Sequence, residues 1–307
     1  MPPIVALVGP TATGKSRLAL ELAVELDGEI VNADALQVYR GFDLGTAKPT
    51  REERARVRHH LIDVLAPEER FSAGRFARMA RGALAEIGER GRLALVVGGS
   101  GFYLKALLEG LSPLPTGDER VRRELEERAG REGLESLRSE LERVDPRGAA
   151  RLAPGDRQRT LRALEVAVAT GRPLSEWQDR TPAEPALEAV KLGLTLPRAL
   201  LYDRIAARVG RMVESGWVEE VASLLERGVE PTAPAFQAIG YRQIARHLLG
   251  GDTLETALEE TVRATRRYAK RQMTWFRGDA GIRWIHAQDP AEARREALDT
   301  LGRFRSR

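Results

Sequence analysis

Residues 9–16 read GPTATGKS, between five consecutive apolar residues, Ile4–Val8, and a segment with Leu18, Leu22 and Leu26 at four-residue spacing. An apolar run, a glycine-bearing loop and a helical period make a strand–loop–helix unit. Similar alternation follows: a short strand-like run at 29–31, an amphipathic segment at 73–90 and an apolar run at Leu93–Val97. Strands separated by helices imply an α/β chain whose parallel sheet is covered by helices.

The loop itself matches G-x-x-x-x-G-K-[ST] at every fixed position, namely Gly9, Gly14, Lys15 and Ser16, with Pro10, Thr11, Ala12 and Thr13 between them. Glycines let backbone N–H groups turn inward around an anion, and the helix start adds positive potential. Lys15 brings a mobile charge, and the Ser16 hydroxyl can ligate Mg²⁺. Such a loop calls for a diphosphate without requiring a nucleoside behind it.

At 307 residues the chain can form a large α/β domain or a core with an insertion. From Thr116 the composition turns to dense alternating charge with leucine at helical spacing, and it closes on the proline-rich TPAEPA at 181–186. This reads as a helical insertion over 116–187 ending in a linker, within a core made of 1–115 and 188–307. A strand is expected at 189–196, then long amphipathic helices at 199–225, 235–249 and 254–276. The absence of cysteine excludes disulfides, a thiol nucleophile and a zinc cage of cysteines, and suits a reducing cytosol. The start, Met-Pro-Pro and a short apolar run, has no basic region and is too short to span a membrane, so a soluble cytoplasmic protein is expected.

Two positions besides the loop could carry chemistry. Asp34 follows the 29–31 strand, at a strand end where open α/β sheets bind ligands. It could act as a general base, cap a helix or support a metal ligand. After Val97, where an NTPase commonly offers an acid, the chain reads Gly98-Gly99-Ser100-Gly101. Ser100 could donate to a phosphate or cap the helix that follows. His59 and His60 are adjacent, so they cannot both face one site on a regular element; a structural role is the simpler reading.

The formal net charge is only +4, from 49 basic and 45 acidic residues, so distribution must reveal any polyanion partner. The run TVRATRRYAKRQMTWFRG at 261–278 holds six basic residues and no acid. On a helix, Arg263, Arg266, Arg267, Lys270, Arg271, Thr274 and Arg277 share one broad face with Tyr268 and Trp275 beside it. A one-signed stripe with aromatics suits a phosphate backbone and unstacked bases, whereas a solvated face usually mixes signs. A second basic cluster, RQRTLR at 157–162, lies in the insertion.

Taken in order, GPTATGKS, ADALQVYRGFDLGTAKP, VGGSGFYLKALLEGLSPLP, DRQRTLRALEV, AIGYRQ and AKRQMTWFRG resemble the motifs of tRNA dimethylallyltransferases over nearly the whole chain. The resemblance implies a P-loop NTPase-like, kinase-like core with a helical insertion that grips the anticodon stem-loop. It implies transfer of a dimethylallyl group from dimethylallyl diphosphate to the N6 amine of the adenosine 3′ of the anticodon. Mg²⁺ is the expected cofactor, and the chain is expected to act as a monomer away from membranes. By the same resemblance Asp34 is the base, Lys15 and Ser100 are catalytic, and Asp34, Ala35, Leu36 and Gln37 meet the target nucleotide. Further tRNA contacts fall on Arg122, on Gln158, Arg159, Thr160, Leu161 and Arg162, and on Gln237, Ala238, Ile239, Gly240, Tyr241 and Arg242. The last set is Lys270, Arg271, Gln272, Met273, Thr274, Trp275, Phe276 and Arg277. Two departures stand out: Ser100 where the family commonly has threonine, and Ala35 in place of a common serine. The competing readings are a P-loop kinase or NTPase, an isopentenyltransferase acting on free adenine nucleotides, and a non-catalytic RNA-binding protein.

Overall fold

The computed structural model describes residues 2–111, 117–180 and 185–305. Thr116, where the insertion was expected to begin, and most of the expected linker at 181–186 lie outside the described residues. The chain forms two compact units, Met1–Leu108 with Leu187–Arg307, and Glu109–Ala186.

The first unit is built on six parallel strands: β1 (Ile4–Val8), β2 (Gly28–Asn32), β3 (His59–His60), β4 (Leu93–Val97), β5 (Val190–Thr195) and β6 (Ile282–His286). Their order across the sheet is β3-β2-β4-β1-β5-β6. β1 lies between β4 and β5, with Val5 opposite Leu95 on one side and Val190 on the other. All five residues of β1 are buried, as a central parallel strand covered on both faces requires.

The helices of this unit are α1 (Lys15–Glu25), α2 (Arg51–Arg56), α3 (Ala73–Glu89) and α4 (Gly101–Leu108) before the second unit. Strand alternation sorts them between the two faces. Val5 and Leu7 point into one apolar layer with Leu18 and Leu22 of α1, whereas Ile4, Ala6 and Val8 point into the other with Phe76 and Leu84 of α3 and Leu107 of α4. The second unit is helical: α5 (Glu119–Arg131), α6 (Leu134–Val144), α7 (Pro146–Ala150), α8 (Arg157–Thr170) and α9 (Leu174–Arg180). Its core gathers Val121, Leu125, Leu137, Leu141, Leu161 and Leu164.

The first unit resumes with α10 (Arg198–Glu214), α11 (Trp217–Glu226), a 3₁₀ turn (Pro234–Gln237), α12 (Tyr241–Leu248), α13 (Leu254–Arg277) and α14 (Pro290–Arg305). The expected helix at 199–225 is therefore two helices, broken where Gly216 takes a left-handed φ of 95°. The expected helix at 235–249 is also interrupted. Gly240, at φ 95°, separates the 3₁₀ turn from α12, and its missing side chain admits the Trp217 indole. The same ring closes on Gly45, and Trp217 is 1% exposed. Four elements were absent from the sequence expectations: α2 and β3, too short for any period to show; β6, an edge strand; and α14. Among the described residues no helix is long and apolar enough to cross a membrane.

Glu29 on β2 is fully buried, and cations surround it. Arg90 donates to it at 2.8 and 2.9 Å, His60 Nε2 lies at 2.7 Å, and Arg92 and Arg58 stand at 3.6 and 3.9 Å. His60 is thus structural. Burial pushes the Glu29 carboxyl up, but the hydrogen bonds from Arg90 and His60 outweigh it and hold it at about 2. A carboxylate held below its ordinary 4.5 contributes stability that is present above pH 4.5 and lost as pH falls toward 2. Glu29→Gln should lower the unfolding free energy at neutral pH by about 3 kcal/mol by orphaning these cations. Thermal melts between pH 4.5 and 2 should then show a flatter acid dependence than wild type.

Candidate active site

The C-terminal ends of β1, β2 and β4 open onto a cavity of about 670 Å³. The phosphate loop leaves β1. Gly9 has φ 134°, where a side chain would press on the backbone of Leu194, and Gly14 has φ 96°. Ala12 also holds a left-handed φ of 65°. Gly14 caps α1 without a side-chain hydrogen bond, which leaves the first-turn N–H groups for a ligand. Thr13 Oγ1 donates to Pro10 O at 2.8 Å and braces the loop, and Lys15 Nζ donates to the same carbonyl at 2.6 Å. Ser16, in the first turn of α1, is exposed and lines the cavity.

Gln272, expected to touch RNA, is 5% exposed and performs a different task. Its Oε1 accepts from Thr11 N at 2.9 Å, while its Nε2 donates to Gly99 O at 2.9 Å. One α13 side chain therefore joins the phosphate loop to the glycine loop after β4. A Cβ on Gly99 would land on that amide, which explains the glycine there.

The sequence reading missed Arg208. It lines the cavity with Arg204 and Arg211, at i, i+4 and i+7 on α10, and its Nη1 donates to Thr11 Oγ1 at 3.0 Å. The spacing was legible, but arginine is so abundant in this chain that the helix gave no local charge signal. The cluster acts on Lys15, whose ammonium is lowered to about 7 by burial and by Arg208, with Asp34 opposing.

Asp34 leaves β2 through a turn and faces the same cavity. Its N–H donates to Asn32 Oδ1 at 3.0 Å, Asn32 Nδ2 donates to Leu61 O at 2.9 Å, and Asp34 Oδ1 accepts from Leu36 N at 2.9 Å. No helix follows, so the capping alternative drops out. Gln37 also lines the cavity and donates to Thr46 O at 3.0 Å. The loop beyond is pinned by buried Lys48, which donates to Tyr39 O at 2.7 Å and Asp63 at 2.6 Å and also pairs with Asp43. Ala35 and Leu36 are half-buried.

Ser100 precedes α4, and its side chain, like that of Gln272, lies close enough to Tyr268 to act on its phenol. Tyr268 was noted only as a neighbour of the basic face, yet it lines the cavity. Burial and the Asp34 charge push its phenol up to about 12, so it stays protonated. His59 also lines the cavity, its Nδ1 2.8 Å from Val57 O, and burial pushes its imidazole down.

The expected RNA-contacting runs divide by burial. On α13, Lys270, Arg271, Thr274, Trp275 and Arg277 are exposed and Met273 is half-buried, whereas Phe276 enters the core. Gln237 and Arg242 are exposed and Ile239 is half-buried; Ala238, Gly240 and Tyr241 are interior. The Tyr241 hydroxyl donates to Glu220 and accepts from Gly45 N at 3.0 Å, which is a structural role. In the second unit, Gln158 and Arg159 are exposed, Arg162 pairs with Glu165 at 3.2 Å and Arg122 with Glu126 at 3.0 Å. Thr160 and Leu161 are 0% and 3% exposed, so α8 turns them into its own unit's core.

A neutral Lys15 at alkaline pH has a direct consequence. Phosphate oxygens beside it restore the charged form, so Lys15 should take up about one proton when inorganic diphosphate binds near pH 8.5. Calorimetry in buffers of different ionisation enthalpy should show wild type taking up about one proton more than Lys15→Met at that pH, a difference that vanishes below about pH 6.

The family model for IPP transferases matches residues 37–279. The tRNA dimethylallyltransferase of Geobacter metallireducens is 52% identical over 284 residues, covering 92% of this chain and 92% of that protein. That of Methylococcus capsulatus is 48% identical over 307 residues, covering 99% and 98%. The full-length tRNA isopentenylpyrophosphate transferase of Bacillus halodurans superposes with a TM-score of 0.71 at 40% identity, over 98% of this chain and 96% of that one. A eukaryotic dimethylallyltransferase acting on tRNA superposes with a TM-score of 0.83 at 27% identity, over 100% of this chain and 80% of its own. On sequence and on structure alike, the chain belongs to the IPP transferase family.

Proposed function

We propose that the chain transfers a dimethylallyl group from dimethylallyl diphosphate to the exocyclic N6 amine of the adenosine 3′ of the anticodon in tRNA, releasing diphosphate. One observation carries the reading: a phosphate loop and the Asp34 carboxylate line a single cavity, leaving β1 and β2 with β4 between them. A diphosphate at the loop and an amine at the carboxylate leave the carbon to be transferred between the two. The chain's family membership points to the same donor and acceptor classes.

Adenine N6 is a weak nucleophile because its lone pair is delocalised into the ring, so position and leaving-group stabilisation must do most of the work. The target base leaves its stack to reach the cavity. N6 attacks C1 of the dimethylallyl group as the C1–O bond breaks, and the bonding pair departs with the diphosphate. Lys15, the first-turn amides of α1 and Arg208 stabilise the charge that builds there. Asp34 accepts the N6 proton. Its carboxylate is held for this by Leu36 N and by its electrostatic neighbours Lys15 and Arg208.

Among the described residues no three His, Cys, Asp or Glu side chains gather into a metal cage. The cavity wall instead offers the Ser16 hydroxyl, a donor set that fits an Mg²⁺ ion shared with substrate phosphates. Bound there, Mg²⁺ would neutralise part of the leaving group's charge. The exposed cations of α13, and Gln158, Arg159 and Arg162 of the second unit, are proposed as contacts to the anticodon stem-loop. The protein is proposed to act as a cytoplasmic monomer.

Mass spectrometry of an anticodon stem-loop RNA incubated with the protein, Mg²⁺ and dimethylallyl diphosphate tests the reading. A prenyl increment is expected on this RNA and not on one carrying guanosine at the target position. Prenylation of AMP in preference to the RNA would overturn the acceptor, and ATP consumption without prenylation would return the kinase reading. Asp34→Asn should lower kcat by about 10²–10⁴ while stem-loop affinity stays within about two-fold. Parallel losses of turnover and affinity would make Asp34 a recognition residue.

A further inference from the structure

Among the described residues, the exposed large hydrophobic side chains are aliphatic with two exceptions, Phe102 at 51% and Trp275 at 44%. These two meet each other. Their ring centroids lie 6.4 Å apart at 78°, an edge-to-face pair. Each ring belongs to a residue a few positions along the chain from one that lines the cavity, on a separate element. Gly99 lines the cavity and Phe102 follows three residues later on α4; Gln272 lines it and Trp275 follows one turn later on α13. The Trp275 indole is seated on the backbone of Gly101, where a Cβ would collide with it. The pair is therefore held in place and still left open to solvent.

Two exposed aromatics are costly to leave in water unless something covers them. Their surroundings indicate what does. Lys270, Arg271, Thr274 and Arg277 are exposed on the same stretch of α13, with no acid among them. A cationic strip beside an open aromatic pair suits a strand of nucleic acid, its phosphates on the cations and a base on the ring. An edge-to-face pair leaves ring faces free for that base.

We infer that Phe102 and Trp275 form a stacking platform for an unstacked base flanking the reacting nucleotide, which fixes the RNA backbone while its neighbour is in the cavity. The inference rests on the proposed RNA acceptor and adds a specific contact to it. Phe102 lies outside the motifs read as RNA-binding, and it acts by binding rather than by touching the reacting atoms.

The test compares the full-length chain with Phe102→Ala and Phe102→Trp on stem-loop RNAs carrying either a normal base or an abasic site 5′ or 3′ of the target. Phe102→Ala should raise KM for the normal RNA roughly 5- to 150-fold, the range one base–aromatic stack is worth, with kcat and the KM for dimethylallyl diphosphate unchanged. Phe102→Trp should restore KM, and an abasic site at the stacked position should abolish the difference between Phe102→Ala and wild type. An unchanged KM in Phe102→Ala, or a penalty that persists with both abasic RNAs, overturns the platform while leaving the acceptor intact. A wild-type chain that prenylates no RNA overturns the acceptor reading and the platform with it.

Discussion

A single primary amide holds the candidate site together. Gln272 accepts from the backbone of the phosphate loop and donates to the backbone of the loop after β4. Both loops end strands of the same sheet, but sheet hydrogen bonds stop at the strand ends and do not fix how the loops lie against each other. Gln272 supplies that constraint from a helix far along the chain. Neither an ion pair nor an apolar side chain would serve, because the two backbone groups need an acceptor and a donor from one planar group. In a buried setting, each would otherwise be left unsatisfied.

The electrostatics of the cavity are deliberately unbalanced. Burial and Arg208 depress the protonation of Lys15, burial and Arg211 depress that of Arg208, and Asp34 only partly compensates. Two cations held close in a protein wall are an unfavourable arrangement in isolation. A polyanionic ligand reverses the sign, since the repulsion becomes attraction to a shared partner. Tyr268 extends the arrangement on the other side of Asp34. A phenol that stays protonated beside a carboxylate adds a donor without adding charge.

The sequence displayed whatever depends on local pattern. The phosphate loop, the strands β1, β4 and β5 and the α13 helix follow from short-range periodicity and fixed spacing. Asp34 was legible because strand ends in open α/β sheets are where ligands bind. What did not show depends on partners distant in the chain. Gln272 reads as one polar residue in a basic helix until the phosphate loop is seen against it. Arg208 sits among many arginines, and its meaning comes from Thr11. The breaks at Gly216 and Gly240 are marked by glycine, yet the apolar period runs through both, so the pattern suggests continuous helices. Burial within the runs expected to contact RNA was hidden too, since a motif does not say which of its residues support the others.

The indole of Trp217 occupies the space that side chains at both Gly45 and Gly240 would need. These glycines lie on separate segments, one in the loop that continues from Asp34 and the other at the entrance to α12. Substitutions at the three positions are therefore not independent in the course of divergence. Gly45 can gain a side chain only in a lineage where position 217 has already given up its ring. Gly240 cannot follow so readily even then, because its backbone φ of 95° excludes most side chains. The order in which such changes can accumulate is set by one ring, and a smaller residue at 217 must come first.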